Sequence, residues 1–132
     1  MTTDISGAAD CVFCHLEESK QLFSNSLAVA IADGFPVSRG HTLIIPKRHF
    51  ASLFDATSEE RLALWELVEQ AQQYLLSKYL SDGFNIGIND GVAAGQTVMH
   101  LHIHLIPRYA GDVADPRGGI RWVMPDKAKY WK

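Results

Sequence analysis

From Met99 to Leu105 apolar and polar residues alternate without a break, so an extended chain sends Leu101, Ile103 and Leu105 to one face and His100, His102 and His104 to the other. This predicts a strand over 99–106, inside a segment running from Thr97 to Pro107. Phe84 to Ile88 alternates in the same way and predicts a neighbouring strand. Earlier in the chain, Leu27 to Ile31 is a short apolar run stopped by Asp33-Gly34-Phe35-Pro36, and Gly40 to Pro46 is a second, largely buried run closed by its proline. Those two strands are expected to pair. Thr57-Ser58-Glu59-Glu60 has the spacing of a capping box. Behind it Leu64, Trp65, Val68, Ala71, Leu75 and Tyr79 recur at intervals of three and four until Asp82-Gly83, which predicts one long helix. Leu62, Leu67 and Leu76 keep the rest of that helix only moderately polar, so a second subunit is expected to share it with the sheet. Strands on both sides of one helix, without regular strand–helix alternation, predict an α+β fold with an antiparallel sheet.

Composition narrows the picture. The 132 residues, 47% hydrophobic and 20% charged, make one domain spanning 1–132, with a polar leader over 1–10 and an irregular tail over 111–132. In that tail Ile120, Trp122, Val123 and Trp131 are available for packing. A net charge of −3 with no basic block excludes nucleic-acid binding by a broad positive surface, so a phosphate ligand must be held locally. No apolar run approaches the ~20 residues that span a bilayer, and the first ten residues carry acid where a secretory signal carries base, so no membrane partner and a cytoplasmic location are expected.

The histidine row is the concentrated chemistry of the chain, because three of its six histidines fall within five residues. Neighbouring imidazoles in such a row stand roughly 6.5 to 7 Å apart along the strand, close enough to serve one extended ligand. Hydrogen-bonded packing and a three-histidine metal site are the competing structural readings. Imidazole titrates near neutrality, so one ring can attack while a protonated neighbour gives a proton to a leaving group. The preceding Gly95-Gln96-Thr97 offers small residues and backbone amides that can approach an oxyanion or phosphate.

Gln96-Thr-Val-Met-His-Leu-His-Ile-His-Leu-Ile-Pro-Arg108 resembles the signature of the histidine triad (HIT) family, H-φ-H-φ-H-φ-φ with φ apolar. Cys11-Val-Phe-Cys14, Asp33-Gly-Phe-Pro-Val37, Gly40 to His49, and Asn89-Asp-Gly91 with Gly95 agree in order and spacing, so the resemblance covers roughly 11–110. It implies a HIT-like fold with about five antiparallel strands, one long helix and a short N-terminal helix. It further implies a nucleotide-binding hydrolase or transferase in which His102 attacks the α-phosphorus to give a nucleotidyl-histidine, His104 binds phosphate oxygen or assists the leaving group, and Gly95, Gln96 and Thr97 hold the phosphate. Asp33 and Asn89 would contact the ribose and phosphate side, and Phe13 and Leu16 would line an adenine pocket. Asp33 before Gly34 is also a turn former in its own right. Homodimers are common in the family. Pro107-Arg108 is similar to the dinucleoside polyphosphate hydrolases, whereas the nucleoside phosphoramidases of the family depart from Pro-Arg after the triad, and the dinucleoside branch often lacks a cysteine pair. A nucleotide-binding sensor or scaffold, and a zinc-dependent structural protein, are the competing classes.

The only cysteines, Cys11 and Cys14, precede His15 in a C-x-x-C-H pattern that reads as haem attachment, a redox pair or half of a zinc site. Haem attachment expects export, and a redox pair expects a βαβ unit; the sequence offers neither. Zinc needs two further ligands from His49, His100, His15 and His41. Family members that carry the pair imply Cys11, Cys14, His49 and His100, a structural zinc that holds His100 as a support. His15 and His41 are then structural or surface residues.

Overall fold

Thr57 caps the long helix in both directions. Its hydroxyl accepts from the Glu60 amide at 3.1 Å, while the Glu60 carboxylate accepts from the Thr57 amide at 2.9 Å. In the computed structural model, which describes residues 5–132, a short helix α1 (Ile5–Asp10) precedes this long helix α2 (Ser58–Tyr79). The first four residues of the polar leader lie outside the described residues. Helix α2 ends before the expected Asp82-Gly83, with Leu80 in the left-handed region at φ 55°.

Five strands form one antiparallel sheet: β1 (Gln21–Ser24), β2 (Ala28–Ala32), β3 (Thr42–Pro46), β4 (Gly83–Gly87) and β5 (Ile103–Arg108), in the spatial order β1-β2-β3-β5-β4. The α+β architecture and the β2–β3 and β4–β5 pairings are those the pattern predicts. Strand β1 has no alternation long enough to announce itself. It is recruited as an edge by pairing with β2 through an irregular register.

Alternation then decides the two faces. Leu101, Ile103 and Leu105 are fully buried with Ala28, Ala30 and Ile44 against Leu64, Leu67, Ala71 and Leu75 of α2. Each large aliphatic side chain buried this way contributes about 2 kcal/mol. The opposite face carries a smaller apolar cluster, Val29, Ile31, Leu43 and Ile45, covered by Phe13 and Leu16. This second face also carries the histidines, because Leu43 pairs with His104 across β3 and β5.

The strand expected over 99–106 begins only at Ile103, since residues 98–100 bend out of the ladder. Two bonds account for this. The amide of Leu101 donates to Phe50 O at 2.7 Å, and the carbonyl of Pro46, which ends β3, accepts from the ring of His100 at 2.7 Å. Strand β3 has no backbone groups left there to extend the sheet.

The tail is less irregular than the sequence suggests. A 3₁₀ turn over Gly119–Val123 and a helix α3 (Pro125–Ala128) fold back beside β4. Ile120 reaches over Gly87, and Trp122 and Trp131 enclose Gly118.

Candidate active site and metal centre

The histidine row divides between two jobs. His100 is fully buried, and its Nε2 donates to Pro46 O, which leaves Nδ1 as the nitrogen bearing a lone pair. That Nδ1 lies 3.4 Å from Cys11 Sγ, 3.5 Å from Cys14 Sγ and 3.2 Å from His49 Nδ1, while Cys14 Sγ is 3.2 Å from His49 Nδ1. Four soft donors at such separations match the edges of a tetrahedral zinc site, which are roughly 3.3 to 3.7 Å for these bond lengths. Cys11, Cys14, His49 and His100 could therefore hold a metal ion. The surroundings are built to support that set. The guanidinium of Arg48 donates to both oxygens of buried Glu60, at 3.0 and 2.8 Å, and so fastens the segment bearing His49 to the start of α2. Burial, and then the adjacent Cys11, push the Cys14 thiol up to about 11. A cation entering here must displace that proton, so binding weakens as pH falls.

His102 stays partly exposed on the second face. Its Nδ1 donates to the carbonyl of His100 at 2.8 Å, because a carbonyl can only accept, and Nε2 keeps its lone pair. Phe13, carried between the two cysteines, packs its ring edge-on against His102 with centroids 5.2 Å apart. The ring of His104 follows at 5.1 Å from that of His102.

His41, expected as a structural or surface residue, is a buried one that lies beside the histidine row. It is only 3% exposed, and its Nε2 lies 3.0 Å from His104 Nδ1 and 3.3 Å from Asp33 Oδ2. The amide of Val37 donates to His41 Nδ1 at 3.1 Å, so the proton of His41 sits on Nε2 and is given to His104 Nδ1, with Asp33 close behind. His104 is then protonated on Nε2. Burial holds both His41 and His104 below the ordinary imidazole range, assisted for His104 by its histidine neighbours, so these neutral tautomers persist at pH 7. Asp33, His41 and His104 cluster closely enough to suggest a second cation site. The chemistry of the donors argues against it: the Val37 amide keeps a proton on the His41 nitrogen that would have to ligate. Positive φ at Gly40 (92°), where an added Cβ would stand 3.0 Å from the Tyr79 ring, brings the chain into this position.

The remaining expected residues fall into two groups. Phe13 and Leu16 cover the apolar cluster beside His102. Asp33 does two things, accepting from the Phe35 amide in a turn and facing His41. Gly95 (φ 100°) and Thr97 are exposed on the loop leading to the histidines, and Asn89 is exposed before it. Gln96, by contrast, is buried, and its amide is fully engaged. It accepts from Gly91 N at 2.9 Å and donates to Ala51 O and Val98 O, while its own backbone amide donates to Gly91 O at 3.1 Å. Asp90, not singled out from the sequence, joins this clamp by accepting from Ser52 Oγ and Leu53 N. His41 could have been found from period two alone. It shares parity with Leu43 and Ile45, the β3 residues on the histidine face.

A sheet face that presents one imidazole as acceptor and its neighbour as donor, beside a thiol–imidazole cluster that could hold a metal, defines an α+β domain with a histidine-centred site. Comparison with known proteins names the group: residues 16–111 match the HIT domain, and the chain belongs to the HIT family. It is 36% identical over 107 residues to the adenylylsulfatase HINT3 of Arabidopsis thaliana, an alignment covering 78% of this chain and 54% of that protein. It is 38% identical to the asymmetrical bis(5'-nucleosyl)-tetraphosphatase of Schizosaccharomyces pombe, with 74% and 53% covered. The chain thus spans about half the length of these two relatives. Among solved structures, a zinc-bound histidine triad family protein from Mycobacterium smegmatis superposes with a TM-score of 0.72 at 35% identity, covering 82% of this chain and 81% of that one.

Proposed function

We propose that the protein is a nucleotidyl hydrolase or transferase that cleaves adenine nucleotide derivatives, dinucleoside polyphosphates or nucleoside phosphoramidates, at the α-phosphate through a nucleotidyl-His102 intermediate. One observation carries the reading: His102 and His104, adjacent rings on one open face, are set in complementary tautomers. His102 Nε2 forms the bond to α-phosphorus as the phosphorus–leaving-group bond breaks, and His104 Nε2–H donates a hydrogen bond to the departing group, which leaves as an anion or takes its proton from solvent. Water then attacks the phosphorus, the P–N bond breaks to restore the His102 Nε2 lone pair, and the proton lost by water passes to solvent. In the Gly95 to Thr97 segment the Gly95 and Gln96 amides are held by Val92 O and Gly91 O, so the Thr97 amide is the one that receives a phosphate oxygen as negative charge develops. His41 acts through His104, orienting it and holding its proton on the nitrogen that faces substrate. Phe13 and Leu16 support the base, and Asp33 and Asn89 lie toward the ribose and phosphate.

His100 takes a supporting role, since both its ring nitrogens are committed within the protein. Cys11, Cys14, His49 and His100 would hold a zinc ion, which supplies rigidity and no chemistry to the reaction. The two named enzyme relatives, and the zinc in the Mycobacterium smegmatis protein, support this assignment. A homodimer through the apolar excess of α2, in the cytoplasm, completes the proposal. No helix among the described residues is long and apolar enough to cross a membrane.

Release of nucleoside monophosphate from an adenosine polyphosphate or phosphoramidate tests the reading. His102→Ala is expected to abolish turnover, by at least about 10³-fold. Mass spectrometry of a quenched reaction should find a nucleotidyl adduct on the peptide containing His102. Equal turnover by the variant, or tight nucleotide binding with no adduct, defeats the assignment.

A further inference from the structure

Residues 11–17 lie across the second sheet face without joining the sheet. Their opening turn is held internally. The amide of Cys14 donates to Cys11 O at 3.1 Å, the amide of Cys11 to Ala8 O at 3.3 Å, and the ring of His15 to Ala9 O at 3.0 Å. Among the described residues, the polar contacts that reach from 8–17 to the sheet, to α2 or to the loops joining them all run through two sulfur atoms. Cys11 Sγ meets His100, and Cys14 Sγ meets His49 and His100. The other attachment is apolar: Phe13 and Leu16, both half-buried, rest on Val29, Ile31, Leu43 and Ile45.

His102 is anchored independently of this segment. Its Nδ1 donates to His100 O, and the main chain there is fixed by Pro46 O on the His100 ring and Phe50 O on the Leu101 amide, each at 2.7 Å. The two walls of the proposed nucleotide site therefore differ in what holds them. The histidine wall is bonded to the end of β3 and the loop after it. The other wall carries Phe13, whose ring stands edge-on to His102 at 5.2 Å, and it is tied down through the cysteines that flank Phe13 in sequence.

We infer that residues 11–17 are a metal-fastened strap: with zinc on Cys11, Cys14, His49 and His100, Phe13 and Leu16 are seated at the base side of the site, so that metal and nucleotide bind with positive cooperativity. The inference rests on the proposed nucleotide and zinc readings and deepens them by joining one to the other. Donors from three separate stretches of chain close around one ion only when the strap lies on the sheet, so metal binding removes the strap's freedom in advance. A nucleotide that meets Phe13 and Leu16 already in place is spared that ordering. Linkage is reciprocal, so the factor by which metal tightens nucleotide is the factor by which nucleotide tightens metal. A zinc ion that only supports His100 predicts no such factor.

The test uses the full chain, zinc-loaded or stripped with a chelator, and adenosine 5'-monophosphate as the probe. Hydrogen exchange read by mass spectrometry should show that stripping exposes the amides of 11–17 while peptides from β2, β5 and α2 stay protected. The dissociation constant of the monophosphate, by calorimetric titration, should be about tenfold higher in the stripped chain. The zinc dissociation constant, by chelator competition, should be about tenfold lower with saturating monophosphate. Phe13→Ala should keep its zinc and lose most of both factors, and Leu16→Ala should lose part of them; thermal melts check that each is folded, and either variant suffices. Equal monophosphate affinity in loaded and stripped wild type overturns the coupling and leaves nucleotide binding standing. So do factors undiminished in the folded variants, or a wild type that takes up no zinc. Exposure of α2 and the sheet together with 11–17 shows an ion that supports the whole domain, and overturns the strap. A loaded wild type that does not bind the monophosphate removes the nucleotide reading and the coupling with it.

Discussion

Two clusters on the same sheet face contain histidines within ligating distance of one another, and they differ in one feature of the backbone beside them. At Cys11, Cys14, His49 and His100, a carbonyl, Pro46 O, accepts the proton of His100 and turns a lone pair toward the thiols. At Asp33, His41 and His104, an amide, Val37 N–H, takes the lone pair of His41 and turns a proton toward His104. The first arrangement suits a cation, the second a hydrogen bond donated outward from His104. Proximity of donors is therefore insufficient to identify a metal site; the groups behind the imidazoles decide.

The largest expected effect breaks the first cluster. Cys14→Ser should lower zinc content from about one ion per chain to well below half, by elemental analysis. It should remove about 4 kcal/mol of stability at a thousandfold excess of zinc over its dissociation constant. A wild-type stoichiometry of two ions, one of them lost on His41→Asn, would sink the contrast between the clusters. Next, His41→Asn should leave zinc content intact while kcat for nucleotide hydrolysis falls about 10²-fold through loss of the oriented His104 donor, the scale of one lost hydrogen bond to developing charge. His41→Gln, which can donate to His104 from its amide, should recover part of that loss. A merely structural His41 would show no such rescue. Glu60→Gln, which weakens the Arg48 anchor of the His49 segment, should reduce zinc affinity about tenfold with little change in kcat. The smallest effect concerns pH. Burial lowers the folded-state titration of His41, so the unfolded chain takes up its proton first as pH falls. The stabilisation is complete above about 6.5 and is lost below it. The melting temperature should fall between pH 7.5 and 5.5, and His41→Asn should fall less steeply; identical slopes would show that His41 does not titrate this way.

Much of the frame was legible before any coordinates. The Thr57 to Glu60 capping box, the helical spacing behind it and the alternation from Leu101 to Leu105 each report a local rule that tertiary packing left in place. Strand β1 was illegible because an edge strand of four residues needs only a partner, which here is β2. The row of three histidines misled in one respect. Period two gave the right parity, but a strand through residue 100 would have kept His100 beside His102 on the open face, and the chain instead bends at 98–100 to bury it. The surroundings of Gln96 were illegible for a related reason, since the loop uses its side-chain amide to satisfy the backbone of Gly91, Ala51 and Val98, residues the spacing does not bring together.

By itself the sequence determined which residues face which side, where the long helix begins, and that three imidazoles and two thiols would be concentrated in one domain. Those outcomes follow from periodicity and capping, which act over a few residues. Only the tertiary structure decided which nitrogen of each ring carries its proton. That choice depends on Pro46, Val37 and His100 backbone groups brought up by the packing of β3, the loop before it and the bend at 98–100, and a hydrogen bond has a direction that spacing along a chain does not record.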